Sequence, residues 1–219
     1  MASAFEYAPA PESRAIVDIA PSYGLFIDGE FTEAADGKVF KTVSPSTEEV
    51  LSEIARAGEA DVDRAVAAAR KAFEKWSALP GSERAKYLFR IARIIQERSR
   101  ELAVLETLDN GKPIKETRDA DLPLVAAHFF YYAGWADKLD HAGFGPSPKP
   151  LGVAGQVIPW NFPLLMLAWK IAPALAAGCS VIVKPAQETT LTTLRAAELA
   201  HEAGIPACVV NGGTGGGKH

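Results

Sequence analysis

The fold of this chain is decided by Gly152-Val-Ala-Gly-Gln-Val-Ile-Pro-Trp-Asn-Phe-Pro163, by the apolar stretch that follows, and by Val181-Ile-Val-Lys-Pro185. The pattern predicts a strand, a tight turn, a buried helix and a second strand, which form a βαβ unit. Asn161 lies in an apolar turn between two prolines, and Lys184 ends an apolar strand. Buried polar groups are costly unless they are paired, and open α/β sheets bind ligands at the carboxyl ends of their strands. We therefore expect both residues to belong to a ligand site.

The residues after this unit continue the alternation of helix and strand. The predicted order is strand 152–158, helix 162–178, strand 180–185, helix 190–204 and strand 207–211. Such alternation favours a parallel sheet with right-handed crossovers. We therefore predict an α/β fold whose parallel sheet lies within residues 151–219.

Three kinds of segment precede this sheet. Residues 1–20 have the composition of an irregular arm, residues 21–140 combine short strands with helices, and residues 141–150 form a loop rich in glycine and proline. Strands are predicted around the Asp28-Gly29 turn, over 39–43 and over 50–55. Apolar residues at helical spacing then predict three helices. The first has Val62, Val66, Ala69, Phe73 and Trp76 on its inner face, the second covers 82–110, and the aromatic third covers 115–139.

Composition narrows the class of protein. Of the 219 residues, 48% are hydrophobic and 23% are charged, which is ordinary for a globular chain with a sizeable core. A net charge of −4 gives no reason to expect nucleic acid or an anionic membrane as a partner. Residues 1–20 lack the basic start and apolar run of a signal peptide. The apolar segment 162–179 contains Lys170 and Pro173, which favours a buried helix over a membrane span.

Neither the cysteines nor the histidines form a recognisable site in the sequence. Cys179 and Cys208 are too few for a disulfide framework, and their apolar surroundings favour core packing. The four histidines show no metal-ligand spacing. We therefore expect a cytoplasmic protein without a metal site.

The glycine patterns do not identify a ligand. No Gly-x-Gly-x-x-Gly follows the first strand of the βαβ unit, so the usual dinucleotide fingerprint is absent. Residues 212–218 do satisfy Gly-x-x-x-x-Gly-Lys, the start of a P-loop. His219 nevertheless occupies the place of the Ser or Thr that would bind Mg²⁺. We therefore favour a glycine-rich end over a nucleotide-hydrolase site.

The sequence also resembles a known family. Similarity to the cofactor-binding half of the aldehyde dehydrogenase superfamily lies in Ile158-Pro-Trp-Asn-Phe-Pro163, Lys170-Ile-Ala-Pro-Ala-Leu-Ala-Ala-Gly178 and Val183-Lys-Pro-Ala186. Supporting similarities upstream are Phe26-Ile-Asp-Gly-Glu30, Ala68-Ala-Arg-Lys-Ala-Phe73, Arg84 and Leu108-Asp-Asn-Gly-Lys112. Together they cover residues 23–211, and residues 5–13 faintly resemble the start of family-16 members.

The resemblance implies oxidation of an aldehyde to a carboxylic acid, by hydride transfer from a thiohemiacetal to NAD or NADP. Asn161 would donate its side-chain amide to the oxyanion, although this residue type also suits a cap of the following helix. Lys184 would bond the adenosine ribose hydroxyls, although a lysine at a strand end is often solvated surface. Ile158, Pro159 and Trp160 would line the cofactor cleft, and core packing explains Trp160 equally well.

Three departures from the family pattern bear on cofactor, assembly and reaction. Gln187 occupies a position where members often carry a ribose-binding Glu, so the choice between NAD and NADP stays open. The 141–150 loop is short for the hairpin that many members use to oligomerise, which weakens the expectation of a homo-oligomer. The family's nucleophilic Cys and general-base Glu fall after residue 219, and neither Cys179 nor Cys208 matches that nucleophile.

Two hypotheses follow for the function of the chain. In the first, residues 151–219 are the incomplete Rossmann-like nucleotide-binding core of an aldehyde dehydrogenase, and residues 21–140 are the amino-terminal part of the same cofactor-binding domain. The catalytic domain is then absent and the chain alone is inactive, because no thiolate is available to attack the aldehyde. In the second, the chain is a non-catalytic NAD(P)-binding or interaction module.

Overall fold

A computed structural model of the chain describes residues 14–143, 145 and 147–215. The strands are β1 (Ser22–Tyr23), β2 (Leu25–Ile27), β3 (Glu30–Thr32), β4 (Val39–Val43), β5 (Val50–Ala55), β6 (Val153–Val157), β7 (Ser180–Lys184) and β8 (Val210–Gly212). The helices are α1 (Glu59–Ala78), α2 (Gly81–Glu97), α3 (Ser99–Asn110), α4 (Ile114–Glu116), α5 (Leu122–Trp135), α6 (Pro163–Ala177) and α7 (Leu191–Glu202). Most of the predicted arm, and the P-loop-like sequence from residue 216 onward, lie outside the described residues.

The larger sheet contains the predicted parallel strands. Its order is β3-β2-β8-β7-β6, and β6, β7 and β8 run parallel, with α6 and α7 as the crossovers. The α/β fold and its parallel core are therefore as predicted. The whole sheet is mixed, however, because the hairpin of β2 and β3 around Asp28-Gly29 adds to β8 in the antiparallel direction.

A second, smaller sheet lies against the start of the helical region. Its order is β1-β5-β4, and β4 and β5 have the bounds that the sequence predicts. The chain leaving β5 is tied to the larger sheet, because the Ala57 N–H donates to the Thr214 carbonyl oxygen at 2.7 Å. This contact brings the start of α1 to the end of β8.

The two longer predicted helices are interrupted. The prediction of one helix over 82–110 is wrong, because the backbone of Arg98 (φ −98°, ψ 14°) separates α2 from α3. The predicted third helix is a single turn, α4, followed by a π-helical turn over Thr117–Asp121 and then α5. This wide turn contains Asp121, which accepts a hydrogen bond from Lys112 at 2.6 Å. The continuous apolar pattern gives no sign of either interruption, and wide turns of this kind are frequent at functional sites.

The inner face of α1 is rotated from the predicted one. Ala65, Ala69 and Trp76 are buried, whereas Val62 is 40% exposed. Small residues face the sheet because α1 packs closely on β7, where the Ser180 hydroxyl donates to the Ala69 carbonyl oxygen at 2.8 Å. The prediction for Val62 is therefore wrong, and its side chain is available to line a groove.

The last strand also begins later than predicted. Cys208 does not open it, because its φ of +67° places it in a left-handed turn and β8 starts at Val210. The predicted 141–150 loop contains no strand or α-helix at its described positions; a short 3₁₀ turn (Leu139–His141) ends at its first residue.

Helix α6 lies at the centre of the main hydrophobic core. Leu164, Leu167 and Leu175 are at most 2% exposed, and the helix packs against α2, α5 and β7. Across residues 14–143, 145 and 147–215, no helix combines the length and hydropathy that a membrane span requires. The turn that precedes α6 is consequently attached to a helix that is packed in the core.

Candidate functional site

The carboxyl ends of β6 and β7 meet, as expected for a ligand site. Val157 is paired with Lys184 in the parallel ladder, and the next N–H along, that of Ile158, donates to the Lys184 carbonyl oxygen at 2.9 Å. Ile158 is 2% exposed, so its side chain belongs to the core beneath this edge. The structure therefore brings these two predicted site residues into direct contact.

A groove of about 290 Å³ runs along the sheet from Lys184. Its walls include Val62 and Ile182, and its floor includes the backbone of Gly155 and Gly213. A Cβ atom built on either glycine would meet nothing within 4 Å, so a ligand could approach this backbone closely. The Lys184 side chain is half-buried and its ammonium donates to the Pro185 carbonyl oxygen at 3.0 Å. The groove thus combines apolar walls, an open backbone floor and one cation.

A second cavity, of about 510 Å³, is lined by a different set of residues. Trp160 and Gln187 line it, together with Asp109 and Asn110. The structure therefore separates Trp160 and Gln187 from the Lys184 groove. Trp160 is 61% exposed, so the core-packing explanation of this residue is wrong.

Asn161 is exposed and directly follows Trp160, which lines the second cavity. Pro159, two residues earlier, is half-buried, and within the described part of the chain the carboxamide of Asn161 makes no hydrogen bond. The helix-capping explanation is wrong, because the N-cap residue of α6 is Phe162 and no side chain at that position caps it. The carboxamide therefore retains both of its N–H donors for a ligand.

The carboxylate that does hold the start of α6 comes from α3. Glu106, which is 0% exposed, accepts a hydrogen bond at Oε2 from the Leu164 N–H at 3.1 Å. Its other oxygen, Oε1, has no partner among the described residues. Burial raises the pKa of Glu106 to about 7, and the hydrogen bond from Leu164 opposes this shift.

One helical turn later on α3, Asp109 bonds the start of α7 in the same way as Glu106 bonds the start of α6. It accepts hydrogen bonds from the Leu191 N–H at 2.8 Å and from the Thr42 hydroxyl at 2.7 Å. Burial raises its pKa to about 6, against the lowering effect of these bonds. Anions are favourable at helix amino termini, so one side of α3 organises the starts of both crossover helices.

Neither carboxylate was identified by sequence reasoning. Glu106 and Asp109 are spaced as neighbours on one helix face, but their partners lie 58 and 82 residues further along the chain. The similarity over 108–112 includes Asp109 but not Glu106, and it does not reveal the contacts of either residue.

The two cysteines do not have the properties of a catalytic nucleophile. Cys179 is 5% exposed and Cys208 is 7% exposed. Burial, and then the hydrogen bond and charge of Asp28, raise the pKa of the Cys208 thiol to about 12. It is therefore not a thiolate near neutral pH. No group of three His, Cys, Asp or Glu residues in the described ranges is arranged to hold a metal ion.

Comparison with known proteins identifies the family. The sequence model described as "Aldehyde dehydrogenase family" matches residues 31–219. This chain belongs to the aldehyde dehydrogenase family. The match covers the βαβ unit, the turn with Asn161 and the α3 carboxylates within one continuous range.

Individual aldehyde dehydrogenases show how far the similarity extends. The aminoacetaldehyde dehydrogenase of Pseudomonas aeruginosa is 50% identical over 203 residues, covering 88% of this chain and 41% of that protein. The mitochondrial aldehyde dehydrogenase of Rattus norvegicus is 46% identical over 198 residues, covering 85% and 38% respectively. This chain therefore spans roughly two fifths of the length of these curated relatives.

Solved structures show the same partial match. The NAD⁺ complex of an aldehyde dehydrogenase from Bacillus cereus superposes with a TM-score of 0.86 at 42% identity. The superposition covers 96% of this chain and 44% of that one. The described fold is thus the amino-terminal part of the aldehyde dehydrogenase fold.

Proposed function

We propose that this chain supplies the cofactor-binding and oxyanion-stabilising part of an aldehyde dehydrogenase that oxidises an aldehyde to a carboxylic acid with NAD(P)⁺. The observation that carries the proposal is Asn161: an exposed carboxamide without a hydrogen bond among the described residues, on a backbone fixed at the end of β6. Its N–H groups would bond the oxyanion that forms when a thiolate attacks the aldehyde carbonyl. A fixed donor of this kind stabilises the transition state without reorganisation.

The groove beside Lys184 fits a nucleotide. Val62 and Ile182 give it apolar walls, and the glycine backbone of its floor leaves room for a flat group to approach. The Lys184 ammonium would donate to ribose hydroxyls at the edge of the sheet. NAD(P)⁺ itself supplies the hydride acceptor when bound. The solved NAD⁺ complexes of related aldehyde dehydrogenases support this assignment.

The family resemblance makes residue 187 the position that would set the phosphate preference of the cofactor site; in the structure Gln187 lines the second cavity and not the Lys184 groove. Gln187 is exposed and uncharged, and Glu188 follows it. A neutral side chain would not repel the 2′-phosphate of NADP⁺, so we propose that the site accepts either cofactor. Gln187→Glu would shift the preference towards NAD⁺.

This chain does not, in our proposal, turn over aldehyde by itself. The reaction needs a thiolate nucleophile, and the two cysteines of the 219 residues are buried free thiols. Without a nucleophile no oxyanion forms for Asn161 to stabilise. The alternative of a module unrelated to catalysis is less favoured, because it leaves the exposed carboxamide of Asn161 unexplained.

We also propose a reducing cellular compartment for this chain. Two free, buried cysteines suit a reducing compartment such as the cytoplasm. An aldehyde is the proposed substrate of the complete reaction, and a homo-oligomer stays a prediction from the family resemblance.

A nuclear magnetic resonance titration with NAD⁺ tests the cofactor assignment. We expect weak, saturable shifts of the Gly155 and Gly213 amide signals, and we expect Lys184→Met to weaken them. Lys38→Met is the matched control. Lys38 is exposed, its ammonium lies 2.7 Å from an Asp36 carboxylate oxygen, and it does not line the groove. Shifts that spare both glycines, or that are unchanged in Lys184→Met, would refute the assignment.

A further inference from the structure

Two side chains from the end of α3 hold the backbone on either side of Asn161. The Asn110 amide donates from Nδ2 to the carbonyl oxygen of Trp160, the residue before Asn161. Glu106 holds the chain on the other side through the Leu164 N–H. The turn is thus bonded at its entry and at the first turn of α6.

A third side chain from the same segment packs on the residue after Asn161. The Lys112 ammonium lies 3.8 Å from the centre of the Phe162 ring, a cation–π contact. Asp121 fixes this ammonium by accepting a hydrogen bond at 2.6 Å, and the two side chains are 9% and 5% exposed. The π-helical turn noted above contains this carboxylate.

The three contacts hold residues on both sides of Asn161 and leave the Asn161 side chain free. Residues 160, 162 and 164 are each held by the 106–112 segment, while the carboxamide of Asn161 makes no hydrogen bond among the residues that the structure describes. A restrained backbone with an unengaged side chain is the arrangement expected of a preorganised donor.

The chemistry of these contacts argues against a purely stabilising role. A buried ion pair such as Lys112 with Asp121 is weak support for stability, because desolvation opposes the attraction. Glu106 keeps one buried oxygen without a partner among the described residues, which is also costly. Apolar side chains could fill this space at lower cost. We therefore attribute to these polar groups the role of fixing the backbone geometry of the turn around Asn161.

We infer that Glu106, Asn110 and Lys112 are positioning residues that hold the Asn161 carboxamide ready for the oxyanion. This inference rests on the function proposed for Asn161, and it extends that function to the residues 106–112 of α3 and the following turn. None of the three residues needs to touch substrate or cofactor. Each acts through the backbone of residues 160–164.

Selective labelling makes the test specific to Asn161. The chain has three asparagines, Asn110, Asn161 and Asn211, so ¹⁵N-asparagine labelling of the 219-residue chain gives a simple amide spectrum. Asn211 is buried, and its side chain donates to the Cys208 carbonyl oxygen at 2.6 Å. Its signals therefore report whether each variant is folded.

The measured quantity is the backbone order parameter of Asn161 from ¹⁵N relaxation. We expect about 0.85 in the unmodified chain and a fall towards about 0.6 in Asn110→Ala and in Lys112→Met, with Asn211 unchanged. Lys115→Met is the control, because Lys115 is exposed on the neighbouring α4 and has no contact with the turn. It should leave Asn161 as rigid as before.

A conservative pair at Glu106 separates positioning from bulk stability. Glu106→Gln keeps an oxygen acceptor for the Leu164 N–H and should preserve the order parameter of Asn161, whereas Glu106→Ala should lower it. An unchanged order parameter in folded Asn110→Ala or Lys112→Met would overturn the inference. If one of these two variants loses the Asn211 signal, the other decides the result.

These measurements need neither cofactor nor aldehyde. A failure of the proposed function would appear in a chimera of this chain with a complete aldehyde dehydrogenase, as an aldehyde-oxidation rate that does not depend on Asn161, with the order parameters still behaving as described. A failure of the positioning inference would appear in the order parameters alone.

Discussion

At the scale of single residues, Glu106 combines burial, a charge and a structural contact. Its pKa is raised by burial to about 7, so the folded chain holds this proton more tightly than the unfolded chain does. The contribution to stability is consequently full below the ordinary value of 4.5 and is lost as the pH rises through about 7. Asp109 acts in the same direction, since its pKa is raised from 3.8 to about 6.

Glu106→Gln should therefore change the pH dependence of stability. We expect the free energy of unfolding of the variant to fall less than that of the unmodified chain as the pH rises from 4.5 to about 7. Over this window the variant should gain about 2–3 kcal/mol relative to the unmodified chain. Urea unfolding at a series of pH values measures this difference. Glu83→Gln, which removes an exposed carboxylate from an ion pair on α2, is the control for the loss of a surface charge. Parallel curves for Glu106→Gln and the unmodified chain would contradict the assignment of the raised pKa.

At the scale of elements, α6 has a charged partner at each end. Glu106 bonds its first turn, and at its last turn Arg84, which is 7% exposed, donates from Nε to the Ala176 carbonyl oxygen at 3.1 Å. Trp76 donates to the neighbouring Leu175 carbonyl oxygen at 3.3 Å. A negative group at the amino end and a positive group at the carboxyl end both complement the helix dipole.

Arg84→Met should destabilise the fold by about 2–3 kcal/mol, because it removes charge-assisted bonds and leaves buried carbonyl groups without a donor. Arg93→Met is the matched control on the same helix. Arg93 is exposed and lies 3.9 Å from Glu97, so its loss should cost less than about 0.5 kcal/mol. Thermal and urea unfolding give both values, and equal losses in the two variants would exclude a special role for Arg84.

The start of α2 depends on a close approach between two elements. A Cβ atom at Gly81 would lie 2.1 Å from the Ala136 carbonyl oxygen at the end of α5. Because backbone atoms cannot move aside cheaply, Gly81→Ala should cost about 2–3 kcal/mol of unfolding free energy.

A second glycine provides the control for that substitution. Gly134 lies on the exposed side of α5, where a Cβ atom would meet nothing within 4 Å. Gly134→Ala should stabilise the helix by about 0.5–1 kcal/mol. If Gly81→Ala were as stable as Gly134→Ala, the packing of α2 against α5 described above would be wrong.

At the scale of the whole molecule, local patterns predicted the regular parts of the fold and missed its long-range contacts. The strands at 39–43 and 50–55, and the alternation around α6, follow from side-chain periodicity. The interruption at Arg98 and the π-helical turn before α5 do not, because the apolar pattern continues through both.

The candidate site was predictable in part for the same reason. Asn161 and Lys184 stand out as polar residues in apolar surroundings, and their positions at adjacent strand ends follow from the topology. Glu106 and Asn110 do not stand out, because the groups that they bond lie 58 and 50 residues away in sequence. The hydrogen bonds of these two side chains can therefore be recognised only in the folded structure.

We propose that this chain provides the cofactor-binding and oxyanion-stabilising half of an aldehyde dehydrogenase active site. The direct test is a chimera in which residues 31–215 replace the matching segment of the aminoacetaldehyde dehydrogenase of Pseudomonas aeruginosa, a 50% identical relative. The measurement is kcat for aldehyde-dependent reduction of NAD⁺, with and without Asn161→Ala. We predict an active chimera that loses about 10²–10³-fold in kcat on this substitution. A folded, active chimera whose kcat is unaffected by Asn161→Ala would contradict the oxyanion role of Asn161.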